Sequence, residues 1–194
     1  MTPSVCVEYG NHRVFVFGLS GKFLKSWGSK GTSDGQFSDP LNICVFNGEV
    51  FVVDNGTHRV CVFNRKGEFL RKWGVKGTAD GQLEAGIKSI CVTNGGLVYI
   101  TENNQNKVSI FDTNGVFKGK LDIPSPCSVC ARGDRIVVCA VSVIRLYDLK
   151  GSILKEFSSQ GSQDGQINCA YGCVWVGDKL LISDSSNHRV QVFH

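Results

Sequence analysis

The sequence predicts an all-β chain of repeated four-stranded antiparallel units, and three observations carry that prediction. One phrase recurs: Asn11-His12-Arg13-Val14-Phe15-Val16-Phe17 returns as Thr57-His58-Arg59-Val60-Cys61-Val62-Phe63 and as Asn187-His188-Arg189-Val190-Gln191-Val192-Phe193. Worn copies stand at Asn106-Lys107-Val108-Ser109-Ile110-Phe111 and at Ile144-Arg145-Leu146-Tyr147. The closing aromatics fall at 17, 63, 111, 147 and 193, in steps of 46, 48, 36 and 46 residues. Between them, β-branched and aromatic runs alternate with Asn-Gly and Lys-Gly turns, and no stretch has a helical period. A period of this length with β-type alternation fits the blades of a propeller.

The second unit serves as template. Asn42 to Phe46 is a short apolar run, the first strand, and Asn47-Gly48 turns it into a second strand, Val50 to Val53. Asp54-Asn55-Gly56-Thr57 leads to a third strand, Arg59 to Phe63, and Lys66-Gly67 to a fourth, Phe69 to Trp73. The fourth strand is outermost, and its charges (Lys22 and Lys25 in the first unit, Glu68, Arg71 and Lys72 in the second) discourage edge-to-edge pairing. A loop joins consecutive units: Lys30-Gly31-Thr32-Ser33-Asp34-Gly35-Gln36-Phe37, then Lys76 to Leu83, then Gln160 to Ile167. The third unit has Pro124-Ser125-Pro126 in its place, which accounts for the short step.

One domain is expected over 1–194, with units at 1–28, 29–74, 75–121, 122–158 and 159–194. The units carry three, four, four, four and three strands, so the first and last are incomplete. The prediction is an open arc of about five blades of a six-bladed ring, which would need roughly 75 further residues to close at about 44 per blade. Either the chain is a piece of a longer protein or it self-associates through its incomplete end blades.

His-Arg-Val-x-Val-Phe, followed by Gly-x-Phe-Leu-x-x-Trp-Gly and the Asp-Gly-Gln-Phe loop, resembles the NHL repeat. The resemblance is fullest in units one and two. Unit three keeps Asn106 and Lys107 without the His, and unit four lacks Asn-His-Arg. It implies a six-bladed β-propeller used as a binding platform, most similar in style to the C-terminal propeller of tripartite-motif ubiquitin ligases. Such propellers bind protein substrates or RNA on one face. The chain has no RING-type cysteine and histidine spacing of its own.

The bulk properties agree with an interaction module. Net charge is +4, too small to prove a nucleic-acid partner and too large to exclude one. No apolar run is long enough to span a bilayer, so no membrane partner is expected. Met1 to Val5 has neither a basic nor an apolar signal region. Nine cysteines, an odd number scattered along strands, favour a reducing, cytoplasmic compartment.

An acid and a base stand five residues apart around the second turn: Glu8 and Arg13, Asp54 and Arg59, Glu102 and Lys107, Asp184 and Arg189. Unit four has Cys139 and Val143 near those places and has lost both. Paired loss favours an ion pair that holds the turn over a ring of ligand-binding cations. His12, His58 and His188 share one repeat position on separate blades, so they form no metal cluster. Catalytic groups break symmetry, and no nucleophile–base pair stands out, so no enzyme, cofactor or metal is expected.

Cys44, Cys91, Cys130 and Cys173 read as one inner-strand position suited to tight packing. Trp27 and Trp73 end fourth strands and read as covers of the inter-blade core, and Trp175 as core or channel lining.

In a propeller, the inter-blade loops share a face with the second turns. The expected binding face is therefore His12, Arg13, Lys30, His58, Arg59, Lys76, Lys107, His188 and Arg189. The leading expectation is a non-enzymatic module that presents this face to a protein partner, with substrate selection for a ubiquitin ligase as its finer form. The alternatives are single-stranded RNA on the same face and a fragment of a lyase- or lactonase-like enzyme.

Overall fold

The computed structural model describes residues 3–194. Met1 and Thr2, in the stretch read above for a signal, lie outside the described residues. Among the described residues, eighteen strands form five sheets of three, four, four, four and three strands, as the repeat predicts. Blade 1 holds β1 (Ser4–Glu8), β2 (Arg13–Phe17) and β3 (Phe23–Trp27). Blade 2 holds β4 (Pro40–Phe46), β5 (Glu49–Asp54), β6 (Arg59–Asn64) and β7 (Phe69–Trp73). Blade 3 holds β8 (Ile87–Val92), β9 (Leu97–Glu102), β10 (Lys107–Asp112) and β11 (Phe117–Asp122). Blade 4 holds β12 (Pro126–Arg132), β13 (Arg135–Ala140), β14 (Ile144–Asp148) and β15 (Ile153–Phe157). Blade 5 ends with β16 (Ala170–Val176), β17 (Lys179–Asp184) and β18 (Arg189–Phe193). Each sheet is an antiparallel meander, and β4, β8, β12 and β16 lie side by side as the inner strands.

Alternation decides what each blade buries. In β6 one face (Cys61, Phe63) packs toward blade 1 with Val14, Phe37, Val50 and Val52, while Val60 and Val62 pack toward blade 3 with Ile90, Val98 and Phe111. Two further clusters join blades 3 to 4 and 4 to 5. Among the described residues no such cluster joins blade 5 to blade 1, so the arc is open. Val174, Val176, Val190 and Val192 stay exposed on one end, and the Phe15, Phe17 and Phe23 rings cluster on the other, Phe15 stacked on Phe17 and Phe23 tilted or edge-on to both.

The tryptophans do what their repetition suggested. Trp27 reaches from β3 onto Phe63 of the next blade, at 6.0 Å between ring centroids, and Trp73 onto Phe111 at 5.0 Å. Each ring lies over a turn glycine of that next blade, Gly67 or Gly115, at φ +85° and +84°. A Cβ at either glycine would strike the indole, so the turn needs glycine for both its left-handed backbone and its clearance. Trp175 packs into the blade 4–5 core beneath the guanidinium of Arg132, 5.3 Å from its ring.

Outer-strand charges are tied inward as well as blunting an edge. Arg71 donates to both oxygens of Glu49 at 2.7 Å and to the carbonyl of Thr113 on blade 3 at 3.0 Å. That bidentate pair holds the Glu49 carboxyl below, and the Arg71 guanidinium above, their ordinary values.

Candidate interaction face

In blades 2, 3 and 5 the second turn begins with a short 3₁₀ turn, Asn55–Thr57, Asn103–Gln105 and Ser185–Asn187 respectively. It closes on a residue in the left-handed region: His58 at φ 54°, Asn106 at 52°, His188 at 53°, and in blade 1 His12 at 52°. Among non-glycine residues Asn, Asp and His tolerate that region best. The repeated histidine is therefore first a backbone requirement, and Asn106 shows the same requirement met without a ring. The His58 Nδ1 stands 3.9 Å from a Glu84 carboxylate oxygen.

The acid–base pair then divides by blade. Asp54 is fully buried and accepts hydrogen bonds from the backbone N–H of Ser38 at 3.0 Å and Asp39 at 2.6 Å and from the Thr57 hydroxyl. Arg59, 6% exposed, lies with Nε 3.4 Å from Asp54. Its guanidinium donates to the carbonyls of Thr32 at 2.6 Å, Ser33 at 3.4 Å and Gln36 at 2.9 Å. It is a strut that fastens the loop feeding its own blade. Arg189 repeats this in blade 5, donating to Asp184 at 3.0 Å and to the carbonyls of Gln163 at 2.7 Å and Gln166 at 3.0 Å. Burial works against the Asp184 charge. Hydrogen bonds from Asn187, the Asn168 N–H, Arg189 and Gln191 outweigh it and hold the carboxyl below its ordinary value.

Blade 3 uses a longer acid and a shorter base, Glu102 and Lys107, buried at 3.6 Å, with the Ser109 hydroxyl donating to the same carboxylate at 2.5 Å. Blade 4 has no such loop before it and no such pair. The register aligns Ala140, not Cys139, with Asp54, and Val143 with Arg59. Loop and pair are lost together in blade 4, and in blades 2 and 5 the base is what holds the loop. That co-occurrence is legible in the sequence and explains the paired loss better than the turn alone.

Of the nine residues expected on one binding face, Arg59, Lys107 and Arg189 are thus engaged inside the fold. Arg13 is exposed and opposite Glu8 in register, with no ion pair among the described residues. His12 and His58 are partly buried, and His188 is exposed. Lys30 and Lys76 are exposed at equivalent loop positions, each in a parallel bridge (to Phe37 and to Leu83) and without an ion pair among the described residues. The loop aspartates that would neutralise them are engaged elsewhere. Lys72 holds Asp34 at 2.7 Å and Lys120 holds Asp80 at 2.9 Å.

The inner-strand cysteines need one correction. Pairing sets Cys44, Cys91 and Cys130 opposite Phe51, Tyr99 and Val137, but Cys173 opposite Ile182, which is the place of Val52. Cys173 therefore matches Ile43, one residue earlier than the other three. Counting from the loop anchors Phe37 and Ile167 gives this register; matching cysteine to cysteine hid it. Among the described residues, no group of three His, Cys, Asp or Glu side chains is placed to hold a metal ion, and no helix is long and apolar enough to cross a membrane.

Residues 37–63 match the NHL repeat. No curated protein sequence matches the chain. Among solved structures it is similar to virginiamycin B lyase from Staphylococcus aureus, with TM-score 0.69 and 14% identity over 97% of this chain and 65% of that one. It is also similar to a protein of unknown function from Bacteroides caccae, with TM-score 0.66 and 11% identity over 100% and 69%. Hydrazine synthase from Kuenenia stuttgartiensis gives TM-score 0.59 and 12% identity over 85% and 52%. The chain thus spans between about half and two thirds of these structures' lengths, and at such identities the likeness is one of fold. Match, strand order and neighbours agree on an all-β, five-bladed propeller arc that carries an NHL repeat.

Proposed function

We propose that the chain is a non-enzymatic interaction module that takes an acidic segment of a protein partner on its loop face. The observation that carries this is the pair Lys30 and Lys76, exposed at one repeat position on successive loops while Asp34 and Asp80 are held by Lys72 and Lys120. Arg59 holds the loop of Lys30, and the Gly77 N–H to Leu83 and Leu83 N–H to Val75 carbonyl bonds close the loop of Lys76, so these lysines are presented on a fixed backbone, which lowers the ordering cost of binding. In its finer form, drawn from the likeness to tripartite-motif propellers, the same face would select substrates for a ubiquitin ligase.

Single-stranded RNA is the second reading. Tyr9, 61% exposed in the turn that ends at His12 and leads into Arg13, offers a stacking surface. Fluorescence anisotropy with a labelled polyglutamate peptide and a labelled polyuridine strand separates the two. The proposal expects the peptide to bind and Lys30→Glu/Lys76→Glu to weaken it by about tenfold or more. Peptide affinity indifferent to that reversal contradicts the proposal. RNA binding with a steep fall against log salt, and no peptide binding, favours the second reading.

A further inference from the structure

Inner strands of neighbouring blades meet through one repeated contact. The Ile90 N–H donates to Asn42 Oδ1 at 3.2 Å, the Val129 N–H to Ser89 Oγ at 3.3 Å, and the Cys173 N–H to Ser128 Oγ at 3.1 Å. Ile90, Val129 and Cys173 thus hold one position, and each turns its side chain toward the preceding blade. Cys44, Cys91 and Cys130 hold the next position and turn toward the following blade. Cys44 therefore shares a core with Ile90, and Cys91 with Val129, but Cys130 shares one with Cys173. Cys139, buried in the same core, adds a third thiol. Among the described residues this is the one interface where the inner-strand thiol faces another thiol instead of a branched aliphatic chain.

We propose that Cys173 and Cys130 are an oxidation site at which peroxide drives an inter-blade disulfide. Both are partly exposed, whereas Cys139 is buried. Ser128 Oγ lies 3.4 Å from the Cys173 sulfur. Hydrogen bonds from Cys130 first, then Cys139, with the Ser128 hydroxyl adding to them, pull the Cys173 thiol well below its ordinary value against the effect of burial. The same hydrogen bond to Cys173, with burial, pushes Cys130 up. Elsewhere burial raises the thiols of Cys44, Cys91 and Cys127, and Cys61 is pushed up to about 11. Cys173 is accordingly the attacking sulfur and Cys130 the resolving one.

In the first step the Cys173 thiolate attacks one oxygen of hydrogen peroxide. An S–O bond forms, the O–O bond breaks and hydroxide leaves, giving a sulfenic acid. In the second, the Cys130 sulfur attacks the sulfenic sulfur. The S–S bond forms, the S–O bond breaks, and the hydroxyl leaves with the Cys130 proton as water. Two thiols lose two electrons and peroxide becomes two waters. The product joins β12 to β16 and fixes blade 5 on blade 4.

The test uses the reduced 194-residue chain, treated with equimolar peroxide, alkylated and mapped by non-reducing peptide mass spectrometry. The expected result is one Cys130–Cys173 cross-linked peptide, reversible by dithiothreitol, and a melting temperature higher by roughly 5–10 °C in the oxidised form. Cys173→Val, which installs the residue type found at Val129, and Cys130→Ala should abolish the cross-link, while Cys139→Ser keeps it. The mapping on the unmodified chain stands even if a variant folds poorly. Over-oxidation of Cys173 without a cross-link, pairing of Cys173 with Cys139, or a cross-link that survives Cys173→Val overturns the assignment.

Discussion

Arg13 and Arg59 sit in the same His-Arg-Val motif, yet the structure assigns them different energies. Arg59→Ala removes a 6% exposed guanidinium that reaches Asp54 and three loop carbonyls. Removing one partner of a buried ion pair costs about 3–5 kcal/mol when the other charge is left alone. Asp54 is not left alone, because the Ser38 and Asp39 N–H groups and the Thr57 hydroxyl still donate to it. The carbonyls of exposed Thr32 and Ser33 can turn to water, while that of Gln36 loses a part-buried hydrogen bond. The expected cost is about 2–4 kcal/mol, or a melting temperature lower by roughly 5–15 °C for a chain of this size. Arg13→Ala removes an exposed side chain with no ion pair among the described residues, and should change stability by less than about 0.5 kcal/mol. Parallel thermal and urea unfolding of the two variants measures both. Equal losses would refute the division of the motif into a strut and a surface cation.

Further predictions follow from the same geometry. Arg189→Ala should cost less than Arg59→Ala, about 1–2 kcal/mol, because its guanidinium is already 25% exposed; urea midpoints report the order. Lys107→Arg alone should destabilise by overfilling the site beside the longer Glu102, and Glu102→Asp/Lys107→Arg should recover most of the loss, a coupling that a double-mutant cycle reads directly. The carboxyls of Asp184 and Glu49 are held low in the folded chain, so the unfolded state takes up protons first on acidification. Their stabilisation is present above the unfolded carboxyl range near pH 4 and is lost as pH falls through the depressed folded values. Unfolding free energy against pH should therefore drop on the acid side, and Asp184→Asn/Glu49→Gln should flatten that limb. An unchanged slope would count against the hydrogen-bond assignment.

The repeat was legible because its periodicity and its packing share one cause. Phe17, Phe63, Phe111, Tyr147 and Phe193 recur because each fills the core toward the preceding blade or, for Phe17, faces that way on the open end. The strand count of three, four, four, four and three followed from turn residues and alternation alone. The candidate site was legible only as a neighbourhood. Motif identity cannot separate Arg13 from Arg59, since what distinguishes them is whether a loop lies within reach of the guanidinium, a contact spanning more than twenty residues. The thiol pair escaped for a different reason. A side chain changes faces with every residue along a strand, so an alignment off by one placed Cys173 beside Cys130 in the repeat instead of across from it.

Hydrogen exchange of the full chain with and without the polyglutamate probe tests the central claim most directly. The account predicts new protection in the loops 29–37 and 75–83, around Lys30 and Lys76, and little in the loop 159–167, where Gln160 stands in place of the lysine. Protection confined to the exposed valines of β16 and β18, or to the Phe15, Phe17 and Phe23 end of blade 1, would contradict it and move the binding surface to the ends of the arc.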